Sequence, residues 1–428
     1  MTALPSGWSI QTVKDLLPIR YGKSLAANLR VADGKYPVVG SAGEMARTDQ
    51  SLINGATIVV GRKGNVGAVQ LLIGGGWPID TTYYSEVPVE LDPRFVAHQL
   101  IALRLVRLDS STATPSLRRQ DYEVQELVVP PLYEQRRIVD ILEDHLSRLD
   151  AAERYLAAAD ERENHLQMGL LAVGLHGQLV QEDLNEGTGQ DLVRRCGGDP
   201  SAFVLGDEDR AWPVPSSWAW TRIADVFEVY VGATPSRADK SLWGGDLAWV
   251  SSGEVAFNRI TSTRETVQLA AVGNSLTRIH EPGTVMLAMI GEGKTRGQAA
   301  ILGVTAAHNQ NCASIRVART PVLSEYVFYF LRERYIETRR VASGGNQPAL
   351  NKGVIGRIAI PIPPLGTQRR LIAAFQEADE SGDGLRRAIR ESRARAGLLR
   401  NSLLTAAFSG RLTGRSTDME MVEEMAGV

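Results

Sequence analysis

The chain is written twice. Residues 129–179, VPPLYEQRRIVDILEDHLSRLDAAERYLAAADERENHLQMGLLAVGLHGQL, align without a gap with 362–412, IPPLGTQRRLIAAFQEADESGDGLRRAIRESRARAGLLRNSLLTAAFSGRL, at a constant offset of 233. Pro130-Pro131-Leu132 falls on Pro363-Pro364-Leu365, Gln135-Arg136-Arg137 on Gln368-Arg369-Arg370, and Gly177 on Gly410. The same offset places Pro115 and Leu117 on Pro348 and Leu350. Upstream the likeness weakens: LPSGW (4–8) answers VPSSW (214–218), and VVGRKGNVG (59–67) answers MIGEGKTRG (289–297). A repeat of this length means two related units, each ending in a near-constant segment. The boundaries read as 1–127, a first variable unit; 128–180, a helical spacer; 181–213, a connector; 214–360, a second variable unit; 361–412, a second spacer; and 413–428, an acidic tail.

Both constant segments read as long helices. Ile138, Ile141, Leu142, Leu149, Leu156, Leu166 and Leu170 recur at steps dominated by three and four, one apolar stripe. The second stripe runs through Leu371, Phe375, Leu385, Ile389, Leu399 and Leu403. The proline pair suits a helix start, and Thr367 an N-cap. About 40 residues make about 60 Å of helix. Such a stripe needs a partner. Residues 134–176 carry five Lys and Arg against nine Asp and Glu, whereas 368–408 carry eight against five. Pairing the two as an antiparallel coiled coil neutralises both; folding of each helix onto its own unit is the alternative. Ser381-Gly382-Asp383-Gly384 predicts a kink or short break in the second helix.

The variable units carry short β-rich runs, ATIVVG, GAVQLLI, LAWVSS and TVMLAMIG, between Gly, Asn and Pro turns. One helix is expected in each, at 93–106 and 323–339. The fold class is therefore α+β, with a twisted sheet plus helices in each unit. The connector 181–201 reads as a surface linker.

Composition excludes several classes. Hydrophobic content of 43% and charged content of 22% are those of a soluble globular chain. Two cysteines imply no disulfide framework, and no apolar run is long enough to span a bilayer, so a cytoplasmic location and no membrane partner are expected. GEGKT (291–295) has the close of a phosphate-binding loop, but the required first glycine is Ala288, and the following residues read as a short buried strand beginning near Ala299. The six histidines show no metal-ligand spacing, and no nucleophile elbow or dinucleotide fingerprint is present. No catalytic residue, metal site or bound cofactor is assigned to the chain.

Polar side chains gather at the loop tips: Arg62, Lys63 and Asn65 in the first unit, and Lys294, Thr295 and Arg296 in the second. IDTTYY (79–84), with Thr81 and Tyr83, stands at the place of AHNQNCA (307–313), with Asn309, Gln310 and Asn311. Asn and Gln suit adenine and Arg suits guanine in a major groove, while Lys and Ser/Thr suit phosphates. Taken singly, each reads more readily as a solvated loop residue than as a contact; only recurrence at matched places gives the set its weight.

The doubled architecture resembles the specificity (S) subunit of Type I restriction–modification systems. PPLYEQRRIVDIL and PPLGTQRRLIAAF carry the resemblance, with VGATPS (231–236), HNQNCASIR (308–316) and GGNQPALNKGVIGRIAIPIPPL (344–365) in support. It implies two target recognition domains, each reading half of a split DNA site. The helices would form an antiparallel spacer that docks two modification subunits, which methylate adenine. S-adenosylmethionine would sit on those partners, and ATP and Mg on the restriction subunits that translocate along double-stranded DNA. The same resemblance places Thr234, Ser236 and Arg237 near DNA, with Asn309, Gln310, Asn311, Asn346, Gln347 and Lys352. The first unit has IRYGKSL (19–25) in place of a TPS pattern, and by a variant pattern it contributes Lys23, Ser41, Arg62, Lys63 and Asn65. The competing reading is a protein-binding spacer scaffold with no sequence-specific DNA recognition.

Overall fold

The computed structural model describes residues 4–109, 114–204, 206, 209, 212–272, 279–291, 293–341 and 350–413. Two compact units emerge: Met1–Ala158 with Arg387–Val428, built from two stretches of chain, and Ala159–Arg386, one continuous stretch. The first runs β1 (Ser9–Thr12), α1 (Val13–Leu16), β2 (Arg20–Tyr21), β3 (Tyr36–Gly40), β4 (Gly43–Thr48), β5 (Thr57–Gly61), β6 (Val69–Leu72), β7 (Trp77–Pro78), β8 (Thr82–Glu86), α2 (Pro93–Ala102), α3 (Arg119–Glu123) and β9 (Glu126–Val129), then enters α4 (Leu132–Leu175). Its main sheet has the order β2-β8-β5-β6, a smaller one β4-β3-β7, and β1 pairs with β9. The central strand, TIVVG, is buried at all five positions, which suits its β-branched side chains.

The second unit contains α5 (Gly189–Arg195), β10 (Ala219–Arg222), α6 (Ile223–Val226), β11 (Val229–Val231), β12 (Trp243–Val250), β13 (Asn258–Ile260), β14 (Glu265–Val267), β15 (Val285–Ala288), β16 (Ala299–Leu302), β17 (Ala306–His308), β18 (Cys312–Ile315), α7 (Ser324–Glu333), α8 (Tyr335–Val341), α9 (Lys352–Gly356), β19 (Ala359–Ile362) and α10 (Leu365–Phe408). Its sheets repeat the first unit's orders: β11-β18-β15-β16, with β13 added at the edge, β14-β12-β17, and β10 on β19. Even the directions match, since β3 is antiparallel to β4 and parallel to β7, as β12 is to β14 and β17. The four β-rich runs are strands, and Ala299 opens a strand buried throughout.

Each long helix has 44 residues and begins directly after its proline pair. Within each unit residue numbers rise along one helix as they fall along the other, so the pairing is antiparallel. In the first unit Ile138, Val139 and Leu142 pack with Leu403, Ala406 and Ala407. In the second, Leu171 and Leu175 share a core with Leu371, Ile372 and Phe375. Each buried Val, Leu, Ile or Phe among them contributes about 1.5–3 kcal/mol, the alanines less. Arg400, which bridges to Asp150, contributes only tenths as a partly exposed pair. The apolar seam decides stability. Arg387, Arg390, Arg393 and Arg395 make no ion pair to α4 among the described residues.

Four expectations change. Thr367 is inside α10, which starts two residues earlier, and its hydroxyl accepts from Arg370. Gly382 and Gly384 cause no break: α10 is continuous there, and a Cβ at Gly382 would overlap Gln167 Nε2 of the facing helix. The overlapped atom is the tip of a side chain, so Gly382 sits in a close fit between the two helices without being obligatory there. The expected helix at 323–339 is two, α7 and α8, and the first unit's stops at Ala102. The connector is not all surface, because α5 has a Thr188–Asp191 capping box and buries Leu192 and Val193 against the second core. Most of the tail, from 414 onward, lies outside the described residues.

The constant motifs act as fasteners. Gln135 and Gln368 are almost fully buried. Gln135 donates to the Pro130 carbonyl (2.8 Å) and accepts from the N–H of Asp92, the cap of α2 (2.9 Å). Gln368 donates to the Pro363 carbonyl (3.0 Å) and accepts from the N–H of Leu323, ahead of α7 (2.9 Å). One amide thus ties the long helix to the helix of the globular part, twice over. At the far ends Gly177 and Gly410 both take φ +75°, and a Cβ on either would overlap a proline ring, Pro215 or Pro5 respectively. The PSxW motifs and the terminal glycines therefore form a matched seat in each unit.

Candidate nucleic-acid interface

In each unit the singled-out loops meet at one end of the main sheet. The hairpin turn after β5 lies against the turn before β8: the N–H groups of Arg62 and Lys63 both donate to the Thr81 carbonyl, at 2.9 and 3.1 Å. Ser41 adjoins them, its Oγ 3.3 Å from where a Cβ on Gly64 would stand. Lys23 enters from β2 and its N–H donates to the Pro78 carbonyl (2.9 Å). The glycine before it is required, since a Cβ at Gly22 would overlap the Ile79 carbonyl. Lys23, Lys63 and Asn65 are exposed; Ser41, Arg62 and Thr81 are half-buried. The Arg62 guanidinium donates to the Asp80 carbonyl (2.9 Å) and lies 5.3 Å from the Tyr21 ring. Tyr83 turns inward. It is 2% exposed, donates its hydroxyl to the Leu117 carbonyl (3.0 Å), and burial pushes its phenol up to about 12.

The second unit rebuilds this arrangement with other side chains. Met289 N–H donates to the Asn311 carbonyl (2.8 Å), as Arg62 does to Thr81, and a Cβ at Gly232 would overlap the His308 carbonyl. Thr234 hydrogen-bonds Gln310 by their side chains. Asn309 is buried, and its side-chain Oδ1 accepts from the Asn311 N–H (3.0 Å), so its side-chain amide shapes the turn. Lys294 is exposed, Thr295 half-buried, and Arg296 buried. Ser236 is exposed and its carbonyl accepts from Trp243. Arg237 is held on the smaller sheet instead, ion-paired with Glu265 and 3.8 Å from the centre of the Trp243 ring. That pair holds the Glu265 carboxyl below the usual carboxylate range. Lys352 is exposed, its ammonium 5.5 Å from the Tyr230 ring. Asn346 and Gln347 lie outside the described residues.

The two hairpins differ in length. Gly61 and Ala288 occupy the same ladder position, their N–H groups donating to Ala68 and Gln298. Gly67 and Gly297 then donate back to Gly61 and Ala288. Six residues separate the first pair and nine the second, so the second turn is three longer. GEGKT is part of this longer turn and leads into β16, not into a helix, so it lacks the helix N-terminus that a phosphate loop requires.

A strap crosses each hairpin root. Leu117 N–H donates to the Arg62 carbonyl (2.8 Å) and Leu350 N–H to the Met289 carbonyl (3.1 Å).

His308, which precedes the Asn309 turn, is 1% exposed and Nε2 has no hydrogen-bond partner. Its Nδ1 faces the Asn309 carbonyl at 3.1 Å, and burial lowers its pKa to about 4. Between pH 6.5 and 4 the unfolded chain therefore binds the proton that the folded chain refuses. The contribution is whole above pH 6.5 and lost as pH falls through 4, about 3 kcal/mol in all. Urea unfolding across that range is expected to show the loss, and His308→Phe to flatten it. An equal slope in wild type and variant removes His308 as the cause.

The family model described as "Type I restriction modification DNA specificity domain" matches twice, at residues 5–157 and 215–391. The chain belongs to that family. It is a Type I restriction–modification DNA specificity subunit, not a catalytic one. The EcoDI specificity subunit of Escherichia coli is 19% identical over 421 residues, 96% of this chain and 90% of that protein. The MjaIX specificity subunit of Methanocaldococcus jannaschii is 26% identical over 172 residues, 39% of each chain. A solved chain from work on "complex assembly and conformational transition of the type I R-M system" superposes with a TM-score of 0.71 at 18% identity, covering 96% of this chain and all of that one. The HsdS subunit from Thermoanaerobacter tengcongensis gives 0.50 at 17% identity, with 96% and 98% covered. Both likenesses concern the fold. No helix among the described residues of this specificity subunit is long and apolar enough to cross a membrane.

Reading the sequence for polar loop tips passes over Tyr21 and Arg119. Tyr21 is 46% exposed beside Arg62, and Arg119 lies 5.8 Å from its ring. The offset of 233 was the available signal, because it sets Arg119 on Lys352.

Proposed function

We propose that the two loop clusters read the two halves of a split double-stranded DNA site. The paired helices would hold two methyltransferase subunits that modify adenine with S-adenosylmethionine, and restriction subunits would join with ATP and Mg. The observation that carries this reading is the matched pair of clusters: the same backbone bonds at the same end of the same sheet order, with unlike side chains. A frame kept constant while its tips differ suits two different base sequences, and an internal repeat suits a two-part target. Lys23, Ser41, Arg62, Lys63, Asn65 and Thr81 form the proposed surface of the first unit. Thr234, Gln310, Asn311, Lys294 and Thr295 form that of the second. Tyr83 and Asn309 support these surfaces from beneath.

Adenine methylation mapped across the genome tests the proposal, in cells with this gene and its methyltransferase partner and in cells lacking only this gene. A split motif methylated only with the chain present is the expected result. A methylated partner background that is identical in both strains, with the complex assembled, favours a spacer scaffold that reads no DNA.

A further inference from the structure

The strap that crosses each hairpin root ends in a cation. After Leu117 come Arg118 and Arg119, the latter opening α3; after Leu350 come Asn351 and Lys352, the latter opening α9. The straps are matched by their backbone bonds to Arg62 and Met289, and both helices have five residues. Each cation lies over a tyrosine of the edge strand of the main sheet, Arg119 5.8 Å from Tyr21 and Lys352 5.5 Å from Tyr230. The tyrosines are not the same position. Tyr21 faces Tyr83 across the ladder and Tyr230 faces Ser314, one step apart in register. The matched element is the charge, which each unit seats on whichever aromatic neighbour its edge strand supplies.

We infer that Arg119 and Lys352 are equivalent phosphate contacts, one for each half-site, and that they supply affinity without sequence choice; the inference rests on the DNA-reading proposal above. Arg is a planar fork and Lys a point charge, so they do not present the same hydrogen-bond pattern to a base edge. What they have in common is one positive charge, and what two different half-sites have in common is the sugar–phosphate backbone. The hairpin tips behave in the opposite way, differing in length, charge and chemistry. Glu123 fixes Arg119 through its Nε (2.7 Å), with 41% of the Arg119 side chain left accessible. Lys352 has no ion pair among the described residues. An ordered cation beside a ring loses less freedom on meeting an anion than a free lysine does.

The test uses the specificity chain purified with its methyltransferase subunits, and two labelled duplexes, one with the mapped target and one scrambled. Affinity is measured over a series of salt concentrations for wild type, Arg119→Gln, Lys352→Gln and the double variant. Each single variant should weaken both duplexes by the same factor, on the order of tenfold at low salt. The slope of log K against log salt should become shallower by about 0.9 for each, and about 1.8 together. The methylated motif should stay unchanged, and Arg119→Lys should restore the slope. Wild-type affinity and slope in both variants overturn the inference, as does a changed base at either half-site. Failure of the wild-type complex to prefer the target over the scrambled duplex overturns the DNA-reading proposal instead, so the two failures are told apart.

Discussion

Grafting another recognition domain between Val13 and Gln125 is expected to change one half of the methylated motif and leave the other half and the spacing as they were. The structure places the joints. Val13 N–H donates to the Gln125 carbonyl (2.8 Å), and the second unit repeats this bond from Ile223 to Ile358 (3.0 Å). Outside each bond lies the two-stranded ladder, Ser9–Thr12 on Glu126–Val129 and Ala219–Arg222 on Ala359–Ile362. The ladder leads directly into the long helix and belongs to the frame. A graft that kept residues 1–12 and began at Val13 would preserve it, whereas one that cut after Leu127 would divide β9. The effect on specificity should be total for the exchanged half, because each mismatched base pair costs about 1–3 kcal/mol and several are replaced together. Sequencing of methylated adenines reads the outcome, and alteration of both halves by a folded graft would refute independent readout.

Gln368→Leu should be among the most damaging single substitutions in the second unit. Leucine fills a similar volume but returns neither hydrogen bond, leaving the Leu323 N–H and the Pro363 carbonyl without the amide that joins them. Each buried group deprived of its partner costs about 1–3 kcal/mol, so a loss of about 2–5 kcal/mol is expected. The neighbouring Arg369→Ala, at an exposed position, should stay within about 0.5 kcal/mol. Denaturant unfolding of the two variants side by side checks the contrast. Gln135→Leu should reproduce it in the first unit, where the amide joins Asp92 to Pro130. If both glutamine variants unfold with the wild type, the repeated QRR motif serves something other than this fastening.

Much of the frame was legible because repetition removed ambiguity. The stripe of steps three and four marked both helices, and Ala299 was recognisable as a strand start because four apolar residues follow a polar glycine-rich turn. What stayed hidden was whatever depends on contact between distant residues. Gly382 looked like a helix breaker, since composition cannot show that Gln167 lies across from it. Tyr83 looked like a surface aromatic, since its hydroxyl finds Leu117 only in three dimensions. Aligning VVGRKGNVG with MIGEGKTRG by their final glycines was sound at that end and wrong at the other, because hairpin register, not residue type, fixes where the turn begins. Arg119 and Tyr21 gave no signal singly and became visible only as the counterpart of Lys352 and its ring.

The three extra residues of the second hairpin bear on heritable change. The turn departs from one fixed ladder position and returns at another, so residues can be gained or lost between them without shifting any strand. The strap bonds the root of the turn in both units, and in the first it also reaches into the turn, where the Pro115 carbonyl accepts from the Gly64 N–H (3.2 Å). Insertions and deletions, which ordinarily ruin a β-sheet, become here a tolerated source of variation at the part proposed to face the bases. A lineage under pressure to alter what it marks would thus have a second mutational route besides substitution, one that the core of the protein is built not to notice.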